Sequence, residues 1–230
     1  MLARLKYALR IAKHLHGSVQ RQCPCCDYHG PFDAFGMPPR FDAACPECGS
    51  LERHRLFVLA DRAHKVVRAS SDVLHIAPES IIGKYLRSRC GRYTTLDLFR
   101  DDADVKEPIE KTSLASESFD HIVCSHVLEH VDDRRALAEM FRLLRPQGSL
   151  LAMVPIIEGW VATYERPEIT SEADREVHFG QGNHVRYYGR DFRDRIRSVG
   201  FSVTEFTAEG PEVVTHGLLP GEKLFVGTKP

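Results

Sequence analysis

The chain has no apolar run near 18 residues and no secretory hydrophobic segment, which argues against a membrane-spanning helix and makes a cytoplasmic protein the expectation. It has no internal repeat and no low-complexity tract, so neither a solenoid nor a long disordered linker is expected. It has no excess charge of either sign. Its 31 basic residues stand against 32 acidic ones, and no global field favours nucleic acid or an anionic surface. Its seven cysteines are an odd number without an export signal, which argues against a disulfide framework. What is present is 230 residues at 43% hydrophobic content, enough for one full core and an appendage.

Five of the cysteines lie early. Cys23-Pro-Cys-Cys26 and Cys45-Pro-Glu-Cys48 form two CxxC knuckles separated by residues 27–44. A CxxC turn lets two thiolates converge on one ion, and two such turns complete a closed tetrahedral sulfur site of the structural zinc kind. Pro24, Pro46 and Gly49 suit those turns, and Phe32, Phe35 and Phe41 are the expected apolar cover. A redox dithiol or a catalytic thiol are the alternatives, and Cys25 can replace Cys26 in a CxC arrangement. Arg40, Arg53, His54 and Arg55 make a local basic cluster, read as solvated surface charge.

The most informative stretch is Ser116–Pro155. Ile122, Val123 and Cys124 form a buried-strand run opened by Phe119-Asp120. His126, Glu129 and His130 crowd the point where strand gives way to helix. Ala136, Leu137, Met140, Phe141 and Leu144 recur at helical spacing, and Arg145-Pro146-Gln147-Gly148 stops that helix before a strand over Leu150–Val154. In a parallel α/β sheet, ligands sit outside the carboxyl ends of strands, so titratable groups there are expected to do chemistry.

This stretch resembles the fourth and fifth strands of the class I S-adenosylmethionine-dependent methyltransferases, with their FDxIxCSHVLEHV strand and LRPGG-like turn; Gln147 stands where the first glycine is usual. The resemblance extends from about Ser71 to the C-terminus. It implies a Rossmann-like, doubly wound, seven-stranded sheet, and transfer of a methyl group from S-adenosylmethionine. The family's glycine-rich loop after the first strand is replaced by His75, Ala77, Pro78 and Glu79, similar to a VLHxAPE-like loop in a subset of zinc-ribbon methyltransferases. These four are the implied cofactor contacts, with Ser125 and His126. Asp97 ends the second strand 20 residues after Ala77, the separation expected of a carboxylate that accepts the ribose hydroxyls. Leu98 beside it is expected to pack on the adenine. Where the family often holds the adenine amine, this chain has Pro108, with Glu107 and Glu110 nearby.

His126, Glu129 and His130 share a face if a helix starts near them. They can line the cofactor pocket, move a proton or bind a divalent ion. The segment is similar to the ExxEH metal-binding segment of plant small-RNA methyltransferases and ubiquinone-pathway O-methyltransferases, with His126 in place of the first glutamate. His184 is the candidate downstream histidine, and the version without a metal is favoured, because several imidazoles suit magnesium poorly. His184, His130 and Glu129 are therefore the expected catalytic residues. Residues 156–190 form an insertion too long for a simple connection, read as a lid or substrate site, with Arg186 and Tyr164 as substrate contacts and Gly180 and Gly182 as bends.

The expected layout is an N-terminal helix over 1–19, a zinc ribbon over 20–50, a linking helix over 51–70 and the methyltransferase domain over 71–230, closed by strands Phe201–Thr207 and Lys223–Thr228 around a Gly210–Gly221 loop. Leu2, Leu5, Leu9, Ala12 and Leu15 oppose Arg4, Lys6, Arg10 and Lys13, a pattern expected to dock on the protein's own body more readily than on a membrane. Zinc ribbons also accompany sugar-modifying methyltransferases, which leans the acceptor toward a sugar or glycolipid. The rival readings are a non-catalytic binding module and an RNA methyltransferase, the latter weakened by the balanced charge.

Overall fold

The computed structural model describes residues 2–13 and 15–230; Met1 and His14, within the expected N-terminal helical segment, lie outside them. The chain divides into two compact units, one of residues 1–66, 80–85 and 207–222, the other of residues 67–79, 86–206 and 223–230. No helix among the described residues is long and apolar enough to cross a membrane.

The first unit opens with helix α1 (Leu2–Ala12). Among its described side chains Leu5 and Leu9 stay exposed, and so does Leu15 beyond its end, so these leucines do not make the expected docking on the protein's own body. Two short antiparallel pairs follow, β1 (Arg21–Gln22) with β2 (His29–Gly30) and β3 (Asp33–Phe35) with β4 (Arg40–Ala44). Phe32 is fully buried between Cys23 and Cys45, whereas Phe35 and Phe41 are exposed and supply no cover. Their role falls to Arg55, whose guanidinium lies 4.5 Å from the Phe32 ring centre.

Arg55 belongs to α2 (Glu52–His64) and is fully buried, which corrects the reading of a solvated basic cluster. Its nitrogens donate to the carbonyls of His216 (2.7 Å), Ala43 (2.9 Å), Gly217 (2.6 Å) and Ser50. His54 is also buried, its Nδ1 accepting the Leu51 N–H at 3.0 Å at the helix start. Arg55 thus ties the ribbon's backbone to that of residues 216 and 217, and His54 serves the start of its own helix.

The second unit is built on a six-stranded sheet. The remaining elements in chain order are β5 (Asp72–Ile76), α3 (Ser80–Arg87, shared between the units), β6 (Arg92–Leu96), β7 (Phe119–Ser125), α4 (Asp133–Leu143) and β8 (Leu144–Met153). Then come β9 (Tyr164–Glu165), α5 (Glu172–Phe179), β10 (Arg186–Tyr187), α6 (Phe192–Ser198), β11 (Ser202–Thr207), α7 (Gly210–His216, in the first unit) and β12 (Lys223–Thr228). The sheet order is β11-β12-β8-β7-β5-β6. Strands β6, β5, β7 and β8 run parallel, and β12 pairs antiparallel with β8, as expected of a reversed closing strand. Ile122–Cys124 and Leu150–Met153 are buried throughout, the unbroken apolar pattern of strands covered on both faces.

Among the described residues the sheet has six strands where seven were expected, the missing one being the strand beyond β6. Only Val105 bridges Leu96 in parallel, because the segment after Arg100 is polar and interrupted by Pro108. Two further differences are local. The Gly210–Gly221 segment contains α7 rather than being loop throughout, and Arg145–Gly148 lies within β8 as an irregular start. Gln147 takes a left-handed φ of 64° there, and a Cβ on Gly148 would stand 2.8 Å from the Arg145 carbonyl oxygen, so Gly148 has no room for a side chain. Chain order reverses between β5 and β7, which makes their carboxyl ends the switch point where ligands of doubly wound sheets bind.

Candidate active site

At the end of β5 the backbone turns through Ala77 at φ 46°, and its N–H donates to the Leu96 carbonyl at 2.8 Å. A left-handed residue is ordinarily glycine; alanine is the smallest side chain that can stand there. Pro78 and Glu79 follow half-buried, and the Pro78 carbonyl accepts from Arg100 Nη1 at 3.2 Å, tying this loop to the one after β6. His75 departs from expectation as a side-chain contact with the cofactor. Its ring is fully buried within β5, with Nδ1 2.8 Å from the Tyr93 hydroxyl, and so points into the packing instead of the cleft.

Asp97 sits directly after β6. Its Oδ1 accepts the N–H groups of Phe99 (2.8 Å) and Arg100 (3.0 Å), and Oδ2 has no hydrogen-bond partner among the described residues. Leu98 is exposed beside it. One oxygen thus shapes the turn while the other remains available to a ligand hydroxyl. This fits the expected carboxylate for a ribose, and the small left-handed Ala77 fits a loop that admits a close backbone approach.

The histidine–glutamate segment lies at the carboxyl end of β7. Ser125 is buried there, its Oγ without a partner, and His126 takes a left-handed φ of 54° while its N–H donates to Met153 O at 2.9 Å. Val127–His130 form a turn, closed by His130 N–H to Val127 O at 2.9 Å, and α4 begins only at Asp133. The three residues therefore share a turn and not the first coil of a helix, because Asp132 caps α4 by accepting the Arg135 N–H. His126 Nδ1 is 3.2 Å from Glu129 Oε1. Glu129 is fully buried, and neither of its oxygens has a hydrogen-bond partner.

The 156–190 insertion carries its own structure. Strands β9 and β10 pair antiparallel, and Gly180 ends α5 at φ 75° where a Cβ would stand 2.1 Å from the Tyr187 hydroxyl. The returning strand fastens to the turn through Val185 N–H, which donates to Glu129 O at 2.9 Å. This brings His184 against His130, with ring centres 4.6 Å apart and planes inclined by 75°. One donor atom each from Glu129, His130 and His184 lies within 4.8 Å of the others. Burial holds the His184 imidazole below its ordinary pKa, against the opposing pull of Glu129.

Arg186 departs from the expected substrate contact. It is buried, donates from Nη1 to Leu128 O (2.6 Å) and Val131 O (2.7 Å), and from Nε to Glu165 Oε2 (3.0 Å). It clamps the histidine turn from behind. Arg195 joins it by bridging Asp133 Oδ2 (2.9 Å) and Glu165 Oε1 (2.8 Å), and the Tyr188 hydroxyl reaches Leu128 O at 3.0 Å. This supporting network has no local sequence signal, since it joins backbone carbonyls of the turn to carboxylates more than 20 residues away in the chain. Tyr164 is half-buried with its hydroxyl 2.8 Å from His178 Nδ1, and Trp160 packs edge-on to Tyr164 and Tyr187.

In the first unit, Cys23, Cys26, Cys45 and Cys48 converge. Sγ separations are 3.7 Å for Cys23–Cys48 and 3.7 Å for Cys26–Cys45. A tetrahedral ion with metal–sulfur bonds of about 2.3 Å requires sulfurs about 3.8 Å apart, so the donor set fits one. A hydrogen bond from Cys25 and another from Ser50 hold the Cys23 thiol far below its ordinary value, at about 3. Cys25 therefore borders the cluster instead of completing it.

Comparison with known proteins agrees with this geometry. Residues 79–152 match the family described as a methyltransferase domain. No curated protein matches the chain. Among solved structures, a chain of the Haloferax volcanii complex between the Trm112 methyltransferase activator and a methyltransferase is 16% identical, with TM-score 0.54 over 77% of this chain and 91% of that one. The Burkholderia thailandensis 1,6-didemethyltoxoflavin N1-methyltransferase, solved with its substrate and S-adenosylhomocysteine, is 16% identical, with TM-score 0.52 over 74% and 75%. A S-adenosylmethionine-dependent methyltransferase from Archaeoglobus fulgidus is 14% identical, with TM-score 0.52 over 76% and 94%. At these identities the likeness is one of fold. The fold is that of the class I S-adenosylmethionine-dependent methyltransferases, and residues 79–152 are the part that matches the methyltransferase domain.

Proposed function

We propose that the chain methylates a small polar acceptor, of the sugar or glycolipid class, held between the ends of β5 and β7 and the 156–190 insertion. The observation that carries this reading is the meeting of Glu129, His130 and His184 at the switch point, on the same sheet edge as Ala77 and Asp97. S-adenosylmethionine, when bound, supplies an electrophilic methyl on a sulfonium. Ala77, Pro78, Glu79 and the uncommitted Oδ2 of Asp97 hold it, with Leu98 against the adenine and Ser125 and His126 beside its amino-acid end. The chain's own contribution is orientation, worth much of the barrier in such transfers, and removal of the acceptor's proton by the histidine–glutamate cluster. Trp160 and Tyr164 offer aromatic faces of the kind that pack against a sugar ring.

A small molecule is also the acceptor of the Burkholderia thailandensis enzyme, which was solved with 1,6-didemethyltoxoflavin bound. The RNA alternative is further weakened because two members of the local basic cluster, His54 and Arg55, are buried in α2 and offer no charge to a phosphate backbone. The four cysteines are proposed to hold a structural zinc ion, which leaves no open coordination position for chemistry.

Calorimetry with S-adenosylmethionine and S-adenosylhomocysteine tests the cofactor step. Release of S-adenosylhomocysteine across a panel of sugar nucleotides, glycolipids, phenols and RNA then tests the acceptor. Absence of heat with both cofactor forms overturns the enzyme reading in favour of a binding module, and turnover only with RNA overturns the acceptor class.

A further inference from the structure

We infer that Glu129, His130 and His184 form a second metal site, one that takes a divalent first-row transition ion of the zinc, iron(II) or manganese type. The inference rests on the proposed placement of the acceptor beside this cluster and replaces its metal-free form: an ion on these three side chains would lower the acceptor's own pKa in place of a side-chain base, and ion binding is measured without any acceptor or cofactor.

Three observations point to the ion. The first is Glu129, which has no exposed surface and no hydrogen-bond partner for either carboxylate oxygen. A buried carboxylate left without compensation is among the costlier arrangements in a protein, and a bound cation is one of the few remedies. His126 Nδ1 lies 3.2 Å from Oε1 without making a hydrogen bond to it, so the carboxylate's acceptor positions remain unfilled.

The second observation is the state of the two imidazoles. Nδ1 of His130 lies 3.2 Å from Asn183 O, and Nδ1 of His184 lies 3.2 Å from Phe179 O. A carbonyl oxygen only accepts, so each Nδ1 carries the proton. In its neutral form each ring then keeps its lone pair on Nε2. Backbone carbonyls that fix the tautomer in this way are the usual outer support of metal-binding histidines.

The third observation is proximity. One donor from each residue falls within 4.8 Å of the others. Bonds of about 2.0–2.2 Å to nitrogen and oxygen place ligands about 3–3.5 Å apart, so the ion draws the cluster in by roughly an ångström. Two imidazoles with one carboxylate suit a transition ion with open positions and suit magnesium poorly. This donor set is distinct from the four thiols, and Arg186 and Val185 hold the turn that presents it.

The test titrates reduced, metal-stripped full-length protein with cobalt(II) and follows stoichiometry and optical spectrum. Two equivalents are expected. One carries thiolate-to-cobalt charge-transfer bands and is lost in Cys45→Ser. The other carries only weak ligand-field bands and is lost in His130→Ala and in His184→Ala. Retention of the thiolate bands in those two variants shows that they have folded; if Cys45→Ser does not fold, the wild-type bands still assign the first equivalent. Glu129→Gln, which keeps the side chain's shape, is expected to weaken the second equivalent by at least about tenfold.

A single equivalent in the wild type overturns the inference, as does a second equivalent that persists in both histidine variants. Calorimetry of His130→Ala with S-adenosylhomocysteine keeps the two readings apart. Retained heat without the second metal supports the cofactor reading on its own terms, and lost heat with an intact second site counts against the cofactor reading only.

Discussion

Asp97 is the residue at which binding and architecture can be separated. Its Oδ1 closes the turn after β6 by accepting two backbone N–H groups, at 2.8 and 3.0 Å. Its Oδ2 is the oxygen available to the ribose. Asp97→Ala removes both functions. Hydrogen bonds to a charged acceptor are worth about 1.5–3 kcal/mol, so cofactor affinity should fall by about 10- to 150-fold. The turn loses two bonds of about 0.5–1.5 kcal/mol each, so unfolding free energy without ligand should fall by about 1–3 kcal/mol. Asp97→Asn keeps an oxygen for the turn and replaces the free oxygen with an NH2 group. It should unfold like the wild type yet bind the cofactor more weakly. Calorimetry with S-adenosylhomocysteine gives the affinity, and urea unfolding of the same samples gives the stability. If Asp97→Ala loses stability while its affinity is unchanged, the residue is a turn former and the ribose assignment fails.

Four other outcomes follow from the geometry. Cys45→Ser should lose the ion proposed for the sulfur cluster and lower the melting temperature; zinc content equal to wild type by elemental analysis would refute that ligand set. Arg55→Met leaves four carbonyl acceptors without their cation and should cost about 3–5 kcal/mol, and Arg55→Lys should restore little because an ammonium cannot reach all four; an unchanged urea midpoint would contradict this. Ala77→Gly should stay within about 1 kcal/mol of wild type, since relief of left-handed strain offsets added chain entropy, whereas Ala77→Val should lose both stability and cofactor heat, read by melting and calorimetry. Arg142 and the Thr112 hydrogen bonds hold the Glu139 carboxyl at about 2, below the usual 4.5, so its stabilisation is full above pH 4.5 and is lost as the pH falls toward 2. The wild type should therefore lose stability more steeply than Glu139→Gln over that interval in acid titrations followed by circular dichroism.

What the sequence disclosed and what it concealed divide along a physical line. The sulfur cluster was legible because two CxxC turns bring their thiols together over a few residues. The parallel core was legible because Ile122–Cys124 and Leu150–Met153 are apolar on both faces. The convergence of His184 with His130 followed from topology, since an insertion leaving the end of β8 returns beside the end of β7. By contrast, Arg55 and Arg186 were read as surface or substrate groups, and both are buried on backbone carbonyls. A carbonyl acceptor has no residue identity, so nothing in the sequence marks an arginine that will find one.

The same reasoning bears on the absent glycines. Their loss was the largest departure from the family pattern, and composition alone made the cofactor loop look altered. The backbone nevertheless takes the left-handed turn at Ala77, and does so again at His126, at the carboxyl ends of the two strands that flank the switch point. A non-glycine residue in that region costs energy, and such positions gather where a ligand is held. Both residues also have their N–H groups committed to the neighbouring strand ends, Ala77 to Leu96 O and His126 to Met153 O, so the turns are held by the sheet and do not depend on glycine. The chain has therefore replaced a permissive sequence with an enforced conformation. After β5 that arrangement keeps the close backbone approach while giving the site one small side chain, Ala77, where the family has bare backbone.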